Sequence, residues 1–236
     1  MSFKAPEQTL QTLYGAGKKR AGLTADALAL QAFMAGIYIA SASQLLISVG
    51  GGILGAAVFP FGLIAVVLTS AEMITGNVLI FVTAFLGGHV KITCILRNWS
   101  MAWLMNFAGS LVWAYFLGYL SGALDDIGGG AGAALVIKVA ESKANLSNGA
   151  IFLKGIGANF FVCVGIWQAT TAEDVAGKVL ALWFSASAFV IMGLEHCVAN
   201  MYLIPMGTYR SLCCRRSCTT EGVFISHPSS PLYKQA

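Results

Sequence analysis

Apolar residues occur in five long runs: Ala25 to Val58 with Gly50, Gly51 and Gly52 breaking it, Phe59 to Leu86, Ile95 to Leu124, Ala150 to Trp167, and Val179 to Met206. A helix that crosses a bilayer needs about 20 apolar residues. The runs are continuous rather than alternating, which points to helical spans and away from barrel strands. The pattern therefore predicts an all-α, multi-pass membrane protein with about five spans. Ahead of the first run, Leu10, Leu13 and Tyr14 fall at helical spacing on one side of a polar segment that ends in Lys18, Lys19 and Arg20. This predicts a short interfacial helix. The three basic residues place the N-terminus on the cytoplasmic side, and the short loop with Lys91 and Arg97 returns to that side after two crossings. By alternation the polar stretch from Asp125 to Asn148 is external and the loop with Glu173, Asp174 and Lys178 internal.

After Tyr209 the chain turns polar, with Arg215, Arg216, Pro228 and Pro231, and no sixth span is visible. An odd number of spans leaves this basic tail outside, against the positive-inside tendency. Three parts follow: a cytoplasmic N-terminal segment over 1–24, a transmembrane transporter domain over 25–207, and an atypical polar tail over 208–236.

Composition agrees with the pattern. Of 236 residues, 57 % are hydrophobic and 10 % charged, against about 25 % charged in a soluble domain. The net charge of +4 is small and its basic residues lie at chain ends and loops, so no nucleic-acid partner is expected. Lys4, Glu7 and the later basic residues leave no cleavable apolar leader, and the first span is expected to direct insertion. Cys94, Cys163 and Cys197 sit in apolar runs, where free thiols act as small hydrophobes.

Two runs carry a polar interruption of the same form. One reads Glu72-Met73-Ile74-Thr75-Gly76-Asn77 and the other Glu195-His196-Cys197-Val198-Ala199-Asn200. If each belongs to one of two repeats with an odd number of spans, the second copy is inverted. Paired broken helices in inverted halves are the sequence pointer to a transport site near the bilayer midplane. The second half-helices would aim N–H groups and a positive dipole end at the centre. Asn77 and Asn200 are suited to cap them, and an anion is the favoured guest. Glu72 and Glu195 either line the path or satisfy N–H groups freed by the breaks. His196, an ionisable group within a span, is either functional or a hydrogen-bonded packing residue.

These residues resemble the formate/nitrite transporter family. The resemblance runs from about Pro6 to Gly207. It rests on Ala71 to Ile80 (AEMITGNVLI), Asn98-Trp99, Gly157 to Cys163 (GANFFVC) and Gly193 to Gly207 (GLEHCVANMYLIPMG). It implies an aquaporin-like inverted-repeat bundle of six helices, broken in the second and fifth, that assembles as a homopentamer with one pathway per subunit. Carried over residue by residue, it makes His196 the central histidine of an apolar pore and Thr75 the polar residue of the first break. Lys143 becomes the lysine of the outer vestibule and Asn159 the asparagine of the fourth helix. Phe59, Ile74 and Val162 would form the outer constriction and Leu63, Met73 and Phe189 the inner one.

The resemblance implies a channel or transporter for small monovalent anions of weak acids (formate, nitrite, lactate), coupled to protons through His196. An isolated charge is very costly in a dry site, and protonation removes that cost. Lys143 would attract the anion at the mouth. The expected partners are the anions, protons and the lipid bilayer; no cofactor is implied, and the plasma membrane is favoured over an organelle envelope. The family's sixth helix carries a glycine- and asparagine-containing motif answering the third, which here has Asn106, Phe107, Ala108 and Gly109. After Gly207 that partner does not appear, so five of six spans are expected, and a subunit that only assembles with complete partners is the alternative. Cys213, Cys214, Cys218 and His227 lack paired zinc-ligand spacing. No nucleophile and base pattern suggests an enzyme.

Overall fold

The computed structural model describes residues 3–220, and side chains up to residue 212. Among the described residues the chain is helical, with one isolated bridge between Phe3 and Ala172. Helix α1 (Pro6–Ala21) precedes the long α2 (Ala25–Ser48). Helices α3 (Gly52–Val58), α4 (Pro60–Leu68) and α5 (Ile74–Leu86) follow. Next comes α6 (Ile92–Val112), continued by a π-helical stretch from Trp113 to Leu120. Then come the short α7 (Ala123–Asp126), α8 (Ala131–Ala144), α9 (Asn148–Thr171), α10 (Val175–Ile191) and α11 (Cys197–Thr220). Helices α2, α6 with its extension, and α9 are long and apolar enough to cross a membrane unbroken. Among the described residues two further apolar stretches are built from shorter helices, α3 to α5 and α10 to α11.

This shifts one expected boundary. The first crossing stops at Ser48, because Gly50, Gly51 and Gly52 all take positive φ and turn the chain, so residues 52–58 open the second crossing. Phe59 then joins α3 to α4, where Pro60 begins the helix without needing its missing N–H. The stretch from Asp125 to Asn148, expected as an external polar loop, is mostly helical: α8 packs along α11 as α1 packs along α5.

That correspondence extends the repeat beyond the two breaks. The separation between Glu72 and Glu195 also relates Arg20 to Lys143, Asn77 to Asn200 and Ser70 to Gly193. It sets α1 against α8, so each half begins with a short helix whose last turn carries a basic residue. Even the packing is exchanged between halves. Gly17 lies against the Ala84 methyl where α1 meets α5, and Gly207 lies against the Ala140 methyl where α11 meets α8.

Helices α2 and α6 make the closest pair. A Cβ on Gly36 would land on the backbone of Asn106, and one on Gly109 would strike the Phe33 carbonyl, so glycine on both sides lets the backbones touch. The N-terminal segment is fastened to the α9–α10 connection. The Lys4 N–H donates to the Thr171 carbonyl at 2.9 Å, and its Nζ donates to that of Thr170 at 3.0 Å. The N-terminus and the Glu173 loop therefore share one end of the bundle, as the charge pattern predicts. At α11, the Arg210 guanidinium is 2.5 Å from Asp125 Oδ2 and donates to the Gly118 carbonyl at 3.0 Å. Cys213, Cys214 and Cys218 lie where side chains are not described, and His227 and the prolines of the tail lie outside the described residues.

Candidate functional site

Both breaks are made the same way. Helix α4 ends in a left-handed Ser70 (φ 58°) and α10 in a left-handed Gly193 (φ 65°). Each residue heads a paired closing motif. The Ala71 N–H donates to the Val66 carbonyl and the Ser70 N–H to that of Val67 (2.9 and 3.3 Å). Leu194 donates to Phe189 and Gly193 to Val190 (both 3.1 Å). The last free carbonyls of the first half-helix are thus satisfied at the break. Glycine adopts this backbone freely, whereas serine carries a steric penalty there.

The second half-helices restart at Ile74 and Cys197, and their caps differ from expectation. Met73 and His196 hold the capping positions, and Asn77 and Asn200 fall within the first turn beyond them. The Ile74 N–H donates to Asn106 Oδ1 (3.0 Å), a residue of α6. At the other break the Ala199 N–H donates to His196 Nδ1 (3.1 Å). The asparagines instead donate to the glutamate of their own break, Asn77 Nδ2 to Glu72 Oε2 and Asn200 Nδ2 to Glu195 Oε2, both at 2.8 Å.

Each glutamate also meets the basic residue of its own half. Arg20 Nη1 lies 3.2 Å from Glu72 Oε1 and also donates to Asn77 Oδ1. Lys143 Nζ lies 2.6 Å from Glu195 Oε2. Glu72 is the better satisfied, because Asn98 Nδ2 adds a third donor at 2.9 Å. Burial lowers the Arg20 pKa, and the Glu72 charge opposes that change. Sequence reasoning assigned Arg20 to topology alone; its equal spacing from Glu72, as Lys143 from Glu195, was the available signal. Lys143, expected to attract the anion at the outer mouth, is engaged by the Glu195 carboxylate.

At the centre, Thr75 Oγ1 and His196 Nε2 are 3.1 Å apart, joining the two restarted half-helices. His196 is 4 % exposed. Since its Nδ1 accepts from Ala199, the neutral ring carries its proton on Nε2 and donates it to Thr75, an assignment made from the hydrogen-bond network. The Phe189 ring stacks on the imidazole with centroids 5.5 Å apart, and Phe59 meets Phe189 edge-on at 5.8 Å.

Two cavities share His196. One of about 420 Å³ is lined by Phe59, Lys143, Phe189, Asn200 and the Gly50 to Gly52 turn. The other, of about 300 Å³, is lined by Ile74, Thr75, Trp99 and Asn159. A smaller cavity of about 190 Å³ at Arg20 and Glu72 occupies the matching place in the first half. Of the residues named for two constrictions, Phe59 and Phe189 meet edge-on, Leu63, Met73 and Val162 are buried in the apolar core, and Ile74 lines the second cavity. Asn159 donates to Cys163 Sγ at 3.8 Å, and its Oδ1 is buried without a partner.

A buried, helix-broken centre between two cavities suits passage of a small solute. The sequence profile of the formate/nitrite transporter family matches residues 7–226. The chain is 36 % identical over 219 residues to the uncharacterized transporter YrhG of Bacillus subtilis, covering 89 % of this chain and 81 % of that one. It is 33 % identical over 214 residues to the formate channel BtFdhC of Bacillus thuringiensis, covering 86 % and 81 %. Among solved structures, an FNT family ion channel superposes with a TM-score of 0.78 at 25 % identity, covering 86 % of this chain and 84 % of that chain. A pentameric formate channel with formate bound gives 0.68 at 28 % identity, covering 78 % and 74 %. These relatives are channels and transporters rather than enzymes. With the fold and its profile in agreement, the chain is an integral membrane protein and belongs to the formate/nitrite transporter family.

Proposed function

We propose that the chain passes small monovalent anions of weak acids, such as formate, nitrite and lactate, together with a proton through His196. The Thr75–His196 pair carries this reading. It sets a hydrogen-bond donor at the meeting of two half-helix N-termini, within an otherwise apolar centre. An anion leaving the lysine-bearing cavity loses water, and the low dielectric makes its charge costly there. The Nε2–H can turn from Thr75 to an anion oxygen without exposing a buried polar group, because the hydroxyl can accept from or donate to the same solute. Full proton transfer from Nε2 requires a second proton on Nδ1, which now accepts from Ala199. The cap must open as the acid forms, which couples protonation to movement of α11's first turn.

His196→Asn retains an oxygen able to cap that turn but has no group able to relay a proton. We expect normal insertion and loss of pH-driven formate uptake in vesicles. Unchanged, pH-dependent uptake by this variant would end the relay role. By likeness to the pentameric formate channel, we also propose a homopentamer, placed in the plasma membrane.

A further inference from the structure

The two copies of the half-helix before each break run differently. The separation that relates Glu72 to Glu195 also sets Gly52–Leu68 against Val175–Ile191 over their whole length, and it places Pro60 opposite Trp183. Helix α10 continues through that position unbroken. In the first copy Phe59 keeps a helical backbone (φ −54°, ψ −35°), so α3 and α4 run on through Pro60. Proline brings no N–H, and the Ala56 carbonyl four residues back loses its helical partner. Inside a bilayer no water replaces that partner.

The replacement comes from α10. Ser187 Oγ donates to the Ala56 carbonyl at 2.9 Å, and Trp183 Nε1 donates to the Ala57 carbonyl at 2.7 Å. The two side chains stand four residues apart, on one face of α10. The residue that answers Pro60 in the repeat thus supplies an N–H at the joint that proline weakens. On its other side the joint rests against α2. A Cβ on Gly55 would come within 2.9 Å of Leu46 Cγ, and one on Gly62 within 2.8 Å of Ala42 Cβ and 2.9 Å of the Tyr38 carbonyl. Helix α2 therefore blocks movement one way, and the hydrogen bonds from α10 oppose movement the other way. Between these supports lies Phe59, which meets Phe189 of α10 edge-on, while Phe189 stacks on His196. Both rings line the cavity of about 420 Å³ beside His196.

We propose that Trp183 and Ser187 are specificity-determining positioning residues, which hold the Pro60 joint against α10 and so set the largest anion that passes between Phe59 and His196. The role presupposes the passage of anions beside His196 proposed above. Neither residue lines the two cavities that share His196, so both act through Phe59. Without their hydrogen bonds the end of α3 is free to move off α10, which parts the two phenylalanine rings.

Uptake of formate and of the larger lactate by the whole chain in lipid vesicles tests this. Trp183→Phe keeps a ring and removes the donor, and at 40 % exposure it opens no core cavity. Ser187→Ala removes the other donor. Each should raise the lactate-to-formate flux ratio about fivefold, the equivalent of the net contribution of one hydrogen bond. Ser187→Thr keeps the hydroxyl and should keep the ratio of the unaltered chain. Pro60→Ala returns an N–H to the Ala56 carbonyl, so adding Ser187→Ala to it should change the ratio less than about twofold. A purely structural loss lowers both fluxes alike. An unchanged ratio in Trp183→Phe and Ser187→Ala therefore overturns the proposal, as does an effect of Ser187→Ala that is equally large with and without Pro60. The fluorine-19 resonance of 4-fluorophenylalanine placed at Phe59 gives a readout free of flux. It should move in both variants that lose a donor and stay in place in Ser187→Thr. If the unaltered chain passes neither anion, the passage reading falls; a resonance that does not move overturns the positioning role itself.

Discussion

Replacing Glu72 by glutamine tests how the first break is held. Glu72 is 1 % exposed and receives Asn77 and Asn98 on one oxygen and Arg20 on the other. A glutamine cannot serve all three. With its oxygen toward the asparagines, its amide NH₂ faces the guanidinium, and the reverse orientation sets it against two other NH₂ groups. Removing one member of a buried ion pair costs about 3–5 kcal/mol. Arg20 retains 19 % of its exposure, so a loss of about 2–4 kcal/mol is expected after solvent screening. Glu195→Gln should cost less, about 1 kcal/mol, because Lys143 has a flexible stem and borders the cavity of about 420 Å³, where water can take over its charge. Reversible unfolding in mixed detergent micelles measures both. Adding Arg20→Met to Glu72→Gln should recover at least half of the loss, since no unpaired charge then remains. Equal losses for the two glutamates, a larger loss at Glu195, or simple additivity at Arg20 and Glu72 would refute the reasoning.

Ser70→Gly should stabilise the chain by about 1 kcal/mol in the same assay, because serine bears the left-handed backbone penalty that Gly193 avoids; no gain would mean that the turn is relaxed. Lys143→Gln should reduce anion flux severalfold by leaving Glu195 as an uncompensated negative charge beside the pathway. Adding Glu195→Gln should then restore most of the flux, whereas a double variant as slow as the single one would mean that Lys143 acts as a free attracting charge.

Periodicity and apolar length made the spans legible, and two matching polar interruptions made the breaks legible. The boundary at Ser48 was harder, because three glycines inside an apolar run mark a turn only once their φ values are known. Helix α8 was hidden by glycine-rich residues before it and by lysine and glutamate within it; its helical state follows from packing on α11 more than from its own pattern. The capping roles were misassigned because Asn77 and Asn200 are strong capping types, whereas tertiary contacts gave the caps to Asn106 and His196 and turned both asparagines toward carboxylates. Contact between Phe59 and Phe189 depends on the crossing of α3, α4 and α10, which a linear sequence does not report.

The exchanged contacts, Gly17 with Ala84 and Ala140 with Gly207, bear on how two halves of one chain can diverge. Each contact has space for a single methyl group, and either helix can carry it. What the fold fixes is therefore a total volume shared by two positions rather than an identity at either one. Two copies of an ancestral unit could drift in opposite directions at such a pair and still present the same spacing to the breaks. Their common origin would then be easier to read in geometry than in aligned letters.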